Sequence, residues 1–254
     1  MYQQDIKEIL QFKEYLMFYE VMKYPIPQQW RYFLCEKKQE ETASPERVEQ
    51  FSRNKKNPYM DEFVGYINKY SRLFKSIPYI QSIYLCNSLT FNAIKSDSDI
   101  DLFIITKKNS LRRARFRSVA LFFIFGLKRT LSKKAKKFCL SFYVTEDHQN
   151  LYDISLPQTD IYLIYRLAHL VPLYHETQPP KSIYEYNTWI QTLLPNLPKQ
   201  HLINIGTNIT YGTSSFKRFR EKWLGGGIGH VVEYLIKTIR LPIIIYKTKK
   251  LKEF

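Results

Sequence analysis

Acidic side chains are scarce in this sequence: 23 Asp and Glu stand against 39 Lys and Arg, a formal net charge of +16. Such an imbalance points the surface toward an acidic partner, whether nucleic acid, a nucleotide or an anionic membrane. A lysine-rich compositional bias accounts for it equally well, since Lys, Asn, Ile and Tyr are all plentiful. Cysteine is scarcer still. Cys35, Cys86 and Cys139 are odd in number and far apart, and no CxxC or Cys/His spacing exists, which argues against a zinc site. Cys86 and Cys139 fall in apolar strand-like runs, where cysteine acts as a small buried hydrophobe, and this usage suits a reducing compartment. Long hydrophobic runs are absent too. The longest, 119–127, is too short to span a bilayer, and the first ten residues carry no apolar signal core. The expectation is a soluble, cytoplasmic protein with no integral membrane segment. With 8 Gly and 12 Pro but 44% hydrophobic residues, the composition is that of a folded chain, and 254 residues suffice for one sizeable core with smaller units attached.

The apolar spacing predicts helices at 5–23, 28–35 and, behind the Ser44-Pro45 cap, at about 44–51. These three could form a reduced helix-turn-helix unit; a helical cap packed against the main domain is the plainer and favoured interpretation. A helix over 59–74 precedes a strand at 80–85, and a basic-then-apolar helix at 111–126 precedes a strand at 138–144. Beyond Asp147 the chain reads as helical, with helices at 160–169, ending before Pro172, at 183–194, at 214–224 and at 228–241. The triple glycine at 225–227 follows no strand and precedes no Lys-Ser/Thr, so it reads as a joint rather than a phosphate loop. The five histidines have no partner spacing for a metal or a triad, and no serine lies in a nucleophile-elbow context.

The informative stretch is 84–106, YLCNSLTFNAIKSDSDIDLFIIT. It reads as a strand end, a short helical turn, a polar loop and a second, deeply buried strand. Asp99 and Asp101 stand two apart at the mouth of that strand and so share a face. Two carboxylates in that setting are costly unless something positive lies between them, and the usual cation is a divalent metal carrying a phosphate. A turn or capping role in SDSDID explains one aspartate but fits two alternating ones poorly. Ten residues separate Ser88 from Asp99, enough to bring the turn at Asn87-Ser88, an anion-binding end, beside the carboxylates.

Leu85-Cys86-Asn87-Ser88 followed by Asp99-Ile100-Asp101-Leu102 resembles the signature of the DNA polymerase β-like nucleotidyltransferase superfamily: an apolar strand, Gly with Gly or Ser, about ten residues, then Asp-x-Asp. More widely, Ile77-Pro78, Lys107, Arg115, Cys139-Leu140-Ser141-Phe142, Asp160-Ile161-Tyr162 and Asn187-Thr188-Trp189 resemble a group of bacterial nucleotidyltransferase-domain proteins, over about 60–200. The resemblance implies an α+β fold, a small mixed sheet with flanking helices, with helical N- and C-terminal regions. The corresponding domains are 1–58, 59–150 and 151–254. It implies Mg²⁺ (or Mn²⁺) on Asp99 and Asp101, an NTP substrate, most readily ATP, with its phosphates on Asn87 and Ser88, and a hydroxyl acceptor on a protein, a small molecule or RNA. Asn87 stands where the signature has glycine; asparagine tolerates positive φ better than most residues but adds a side chain. The third carboxylate of the signature belongs on the strand at 138–144, whose polar position is Ser141, with Glu146 and Asp147 just beyond.

Between Lys107 and Lys137 lie twelve Lys or Arg and no Asp or Glu. Helical spacing puts Arg112 and Arg115 on one face and Arg113 and Arg117 on another, and one pair could contact a triphosphate or a polynucleotide. A solvated basic face fits the run as well. Two further expectations stay open: a non-catalytic descendant that binds nucleic acid or a partner, and a peripheral membrane protein using the tail at 234–252.

Overall fold

The computed structural model describes residues 18, 19, 21, 22, 24, 57–130, 132–155, 160–179, 181–194 and 205–224. Nearly all of the expected helical appendage over 1–58, the triple glycine and the tail beyond it lie outside the described residues.

Five strands form one mixed sheet in the order β3-β2-β1-β4-β5. They are β1 (Ile80–Leu85), β2 (Ile100–Thr106), β3 (Phe138–Thr145), β4 (Val171–His175) and β5 (Thr210–Tyr211). β1 runs antiparallel to β2 and β4, while β2–β3 and β4–β5 are parallel. β1, β2 and β4 are buried almost throughout, which a sheet covered on both faces requires. On one face Ile83, Leu85, Ile100, Leu102 and Ile104 pack under α1 (Met60–Phe74) and α2 (Leu111–Ile124). α1 sends Met60, Phe63, Val64, Ile67 and Phe74 inward, the spacing of one helical stripe, and Asp61 and Glu62 suit the positive end of its dipole. On the other face Tyr84, Phe103, Ile105 and Val144 meet α3 (Ile161–Ala168), α4 (Ile183–Tyr186) and α5 (Thr188–Leu193). Asp160 caps α3 by accepting from Leu163 N at 2.8 Å, and Ser182 with Glu185 closes a capping box on α4. No helix among the described residues is long and apolar enough to cross a membrane.

The expected α+β architecture with a mixed sheet and flanking helices is present. The expectation of a wholly helical region beyond Asp147 is corrected, because β4 and β5 lie there and β4 is a neighbour of β1. Pro172 had suggested a stop. It sits instead where the β1–β4 register shifts, between Ile83 and Tyr84, so its missing N–H falls where the ladder is already irregular.

The last described helix, α6 (Ser215–Leu224), is the short basic helix expected at 214–224, and it is fastened through charge. Lys217 is fully buried; its ammonium donates to Ile80 O at 2.6 Å and Tyr174 OH at 3.1 Å, with Glu176 at 3.2 Å. Lys107 joins Glu176 and Glu221, and Glu221 also accepts from Tyr79 N. Burial holds the Lys217 pKa below its usual value against the opposing pull of Glu176 and Glu221. The network ties β1, β4 and α6 together, and every member has a partner of opposite sign.

His169, after α3, is buried. Its Nδ1 lies 2.8 Å from Tyr165 O, which can only accept, so Nδ1 carries the proton and Nε2 accepts from Tyr19 OH at 3.0 Å. Burial pushes its pKa down to about 3. A histidine depressed in the fold and near 6.5 when unfolded binds more protons unfolded. Its contribution is therefore intact above about pH 6.5 and is lost as pH falls toward 3. Urea denaturation at pH 7 and pH 4 should show His169→Gln losing markedly less stability than the unsubstituted chain over that interval. Equal pH slopes would contradict the assignment.

Candidate metal and phosphate site

β1 ends at Leu85, and Cys86 in extended conformation leads into a three-residue 3₁₀ turn, Asn87–Leu89. Asn87 has φ +62°, the left-handed region that glycine occupies without cost. The position therefore keeps the backbone of a glycine turn while carrying a side chain. Thr90 N and Phe91 N both donate to Asn87 O, and Ala93 N donates to Ser88 O, which closes the turn. An extended helix at this point is not formed.

The Asp-x-Asp segment is held on both sides. Cys86 N donates to Asp101 O, and Ile100 N donates to Lys137 O, while Lys136 N donates to Ser98 O. Asp101 is opposite Cys139 in the parallel β2–β3 ladder. Among the described residues, Asp99, Asp101 and Cys139 offer ligand atoms that all lie within 4.8 Å of one another. The cross-strand neighbour is thus Cys139, not Ser141. The β2–β3 register slips between Asp101 and Phe103, with Phe142 opposite Phe103, so β3 spends one extra residue there.

Each carboxylate has a partner from its own chain. Asn87 Nδ2 donates to Asp101 Oδ2 at 2.9 Å. Asn87 Oδ1 accepts from Arg166 Nε at 2.8 Å and from Tyr162 OH at 3.2 Å, both on α3. Arg166 Nη2 donates in turn to Tyr162 OH at 3.0 Å, and its guanidinium lies over the Tyr162 ring at 4.7 Å and the Phe142 ring at 5.3 Å. Arg129 Nη1 sits 2.7 Å from Asp99 Oδ2 and 3.6 Å from Cys139 Sγ. The contact to Asp99 is an ion pair outside hydrogen-bonding angles, and this buried oxygen has no hydrogen-bond partner among the described residues. The bond to Cys139 and the charge of Asp99 raise the Arg129 pKa further. Tyr24 closes one side. Its ring stacks on Phe91 at 4.7 Å, and burial, with Tyr162 and Asp101 beyond it, pushes its hydroxyl up to about 12.

Of the residues expected at the site, Asp99, Asp101 and Asn87 come together, and Ser88 lies next to Asn87 in the same turn. Arg112 and Arg115 are not brought in. β2 runs away from the aspartates before α2 begins, so the first turn of α2 lies near the opposite end of the sheet. There Arg113 and Arg117 cover Tyr79, just ahead of β1, at 5.1 and 4.7 Å. Arg115 lies over Tyr143 at 5.8 Å, and Arg112 is exposed. Cys86 is buried as expected, whereas Cys139 is only half-buried and belongs to the site. The residues missed were Cys139, Arg129, Tyr162, Arg166 and Tyr24. Tyr162 and Arg166 stand four apart on a helix, which is a usable signal. Arg129 carries none, being one cation in a long basic run.

No family model matches this chain, and no curated protein or solved structure matches it significantly.

Because Asn87 both bonds Asp101 and accepts from α3, its substitutions should order by two separable effects. Asn87→Gly relieves the left-handed backbone but loses the three hydrogen bonds. Asn87→Ala loses the same bonds and keeps the strain, of about 1 kcal/mol or more. Urea titration should therefore rank stability as Asn above Gly above Ala. An alanine variant as stable as the glycine one would count against the φ argument.

Proposed function

We propose that this chain is a nucleotidyltransferase of the polymerase β-like kind, moving a nucleoside monophosphate from an NTP, most readily ATP, to a hydroxyl acceptor. The observation that carries the reading is the convergence of Asp99 and Asp101 at the mouth of a buried strand, beside a turn whose Asn87 keeps the φ of glycine.

The donor set suits a divalent ion. Mg²⁺ is ordinarily held by one or two carboxylates with water and phosphate oxygens for the rest, and Asp99 and Asp101 offer that pair. Mn²⁺ accepts the same oxygens and is the less demanding of the two beside a thiol such as Cys139. When bound, the ion would offset triphosphate charge and acidify the acceptor hydroxyl. The rest of the chemistry falls to the chain. Asn87 fixes the Asp101 carboxylate, so that oxygen need not be ordered when substrate arrives. Arg166 and Arg129 bring positive charge to the two sides of the pair, where the phosphates of an NTP would be met. The acceptor oxygen bonds to the α-phosphorus as the bond to the β-phosphate breaks, and pyrophosphate leaves. Cys139, beside the pair on β3, takes a proton only as a thiolate, so with a neutral thiol the hydroxyl proton is left to solvent or to Asp99.

The same two residues, Cys139 and Arg129, favour a second reading. A thiol replaces a carboxylate, and a guanidinium already neutralises Asp99, as expected of a catalytically impaired relative that binds nucleic acid or a partner through its basic surface.

Labelled ATP and the other NTPs, with Mg²⁺ or Mn²⁺ and protein, RNA or small-molecule acceptors, separate the two. Transfer of label that falls at least about a hundredfold in Asp99→Asn and in Asp101→Asn supports the enzyme. Absence of any metal-dependent NTP binding by calorimetry would remove it. Salt-sensitive RNA or DNA binding that survives both substitutions would support the second reading.

A further inference from the structure

We propose that the corner formed by the end of α2 and the loop leading to β3 docks on an anionic lipid surface. It is a surface apart from the site above and does not depend on the nucleotidyltransferase reading.

Phe123, Ile124 and Phe125 end α2 in succession and are 67%, 76% and 57% exposed. Their neighbours on the helix do the packing: Phe122 is fully buried against Phe74 and Phe138. The chain then turns at Gly126, with φ +63°, and Leu127 N and Lys128 N return to Phe122 O. This fold-back holds the three apolar side chains at a protruding corner. Scattered single apolar residues on a surface need no explanation, but three large ones in succession at one corner do.

Charge defines what would cover them. The loop 126–137 carries Lys128, Arg129, Lys133, Lys134, Lys136 and Lys137 and no acidic residue. Its last lysine returns to its first residue, next to Phe125, where Lys137 Nζ donates to Gly126 O at 2.6 Å, and Lys137 N donates to Lys134 O. Arg129 is engaged with Asp99 and Lys136 with Glu62. Lys133 and Lys134 are exposed in the same loop, whose ends meet at Gly126. Apolar side chains that enter the headgroup boundary, ringed by lysines that meet anionic headgroups, are the two components of peripheral membrane binding. A second copy of the chain is a poor occupant, because it would bring the same cations and another +16 of net charge. Nucleic acid could use the lysines and stack on phenylalanine faces, but it gives no role to Ile124, the most exposed of the three.

The test uses the full chain in vesicle flotation, with phosphatidylcholine alone and with phosphatidylglycerol added. Binding is expected only with the anionic lipid, weakening as salt is raised. It should fall about tenfold or more both in Phe123→Ser/Phe125→Ser and in Lys133→Glu/Lys134→Glu. The substituted side chains are exposed, so unchanged thermal unfolding of each variant checks that the fold is kept. As an independent readout, Phe123→Trp should give quenching by brominated acyl chains beyond that of the unsubstituted protein. Failure to float with anionic vesicles would overturn the proposal. So would binding lost in the lysine variant but unchanged in the phenylalanine variant, which would indicate a simple polyanion surface. A concentration-dependent dimer dissolved by the phenylalanine substitutions would overturn it in favour of self-association.

Discussion

The arrangement at the mouth of β2 depends on how two carboxylates on one face of an apolar strand are kept together. Unpartnered, Asp99 and Asp101 would repel each other across a half-buried face of the sheet. The chain resolves this from two directions. Arg129 places a full positive charge on Asp99, and Asn87 offers Asp101 only a dipole. The dipole is the more demanding solution, because an amide helps only if its orientation is fixed. Arg166 and Tyr162 fix it by donating to Oδ1, which leaves Nδ2 to face the carboxylate. The backbone must supply positive φ at the same position. One residue thus couples the β1 turn, the β2 carboxylate and helix α3.

That coupling explains why the sheet needs the segment beyond residue 150. α3 reaches the site only because β4 follows it and pairs with β1, anchoring the helix over the face that carries Asp101. On the far side of β4, the Lys217–Glu176–Lys107–Glu221 network secures α6 against the start of β1. The two ends of β1 are therefore both held by polar contacts, Asn87 at one and the lysine–glutamate network at the other. The middle of the strand is held by its ladders to β2 and β4, by apolar burial and by the buried Ser82–His175 hydrogen bond at 2.9 Å.

Much of this was legible where one physical rule dominated. Continuous apolar runs marked β1 and β2, helical stripes marked α1 and α3, and the alternation of Asp99 with Asp101 marked the site. Asparagine's tolerance of positive φ anticipated the geometry of Asn87. Legibility failed where a rule had an exception or acted at long range. Pro172 obscured β4 because its lost N–H happened to fall at a register shift. Ser141 was the polar position read on β3, and Cys139 was passed over because a cysteine in an apolar run reads as a small hydrophobe. Arg112 and Arg115 were attractive by composition, but β2 carries the chain away from the aspartates before α2 begins. Arg129, on the return path of the same run, arrives instead. A basic stretch announces its charge and not which of its members will meet the anion.

The position of Arg129 changes what a divalent ion would meet. Asp99, Asp101, Arg129 and Arg166 sum to no net charge, so the site is neutral as folded. An ion approaching Asp99 competes with a guanidinium already 2.7 Å away, and its intrinsic affinity is reduced by whatever it costs to move that group. A nucleoside triphosphate alters the balance. On the nucleotidyltransferase reading, its phosphates would give Arg129 and Arg166 a new anionic partner, and Arg129 could then leave Asp99 to the ion without being stranded. On the nucleotidyltransferase reading, metal and nucleotide should therefore bind with positive coupling, each removing a penalty that the other would face alone. The same neutrality lets the protein keep two adjacent carboxylates on an apolar strand, since each is met by a charge or a dipole of its own chain.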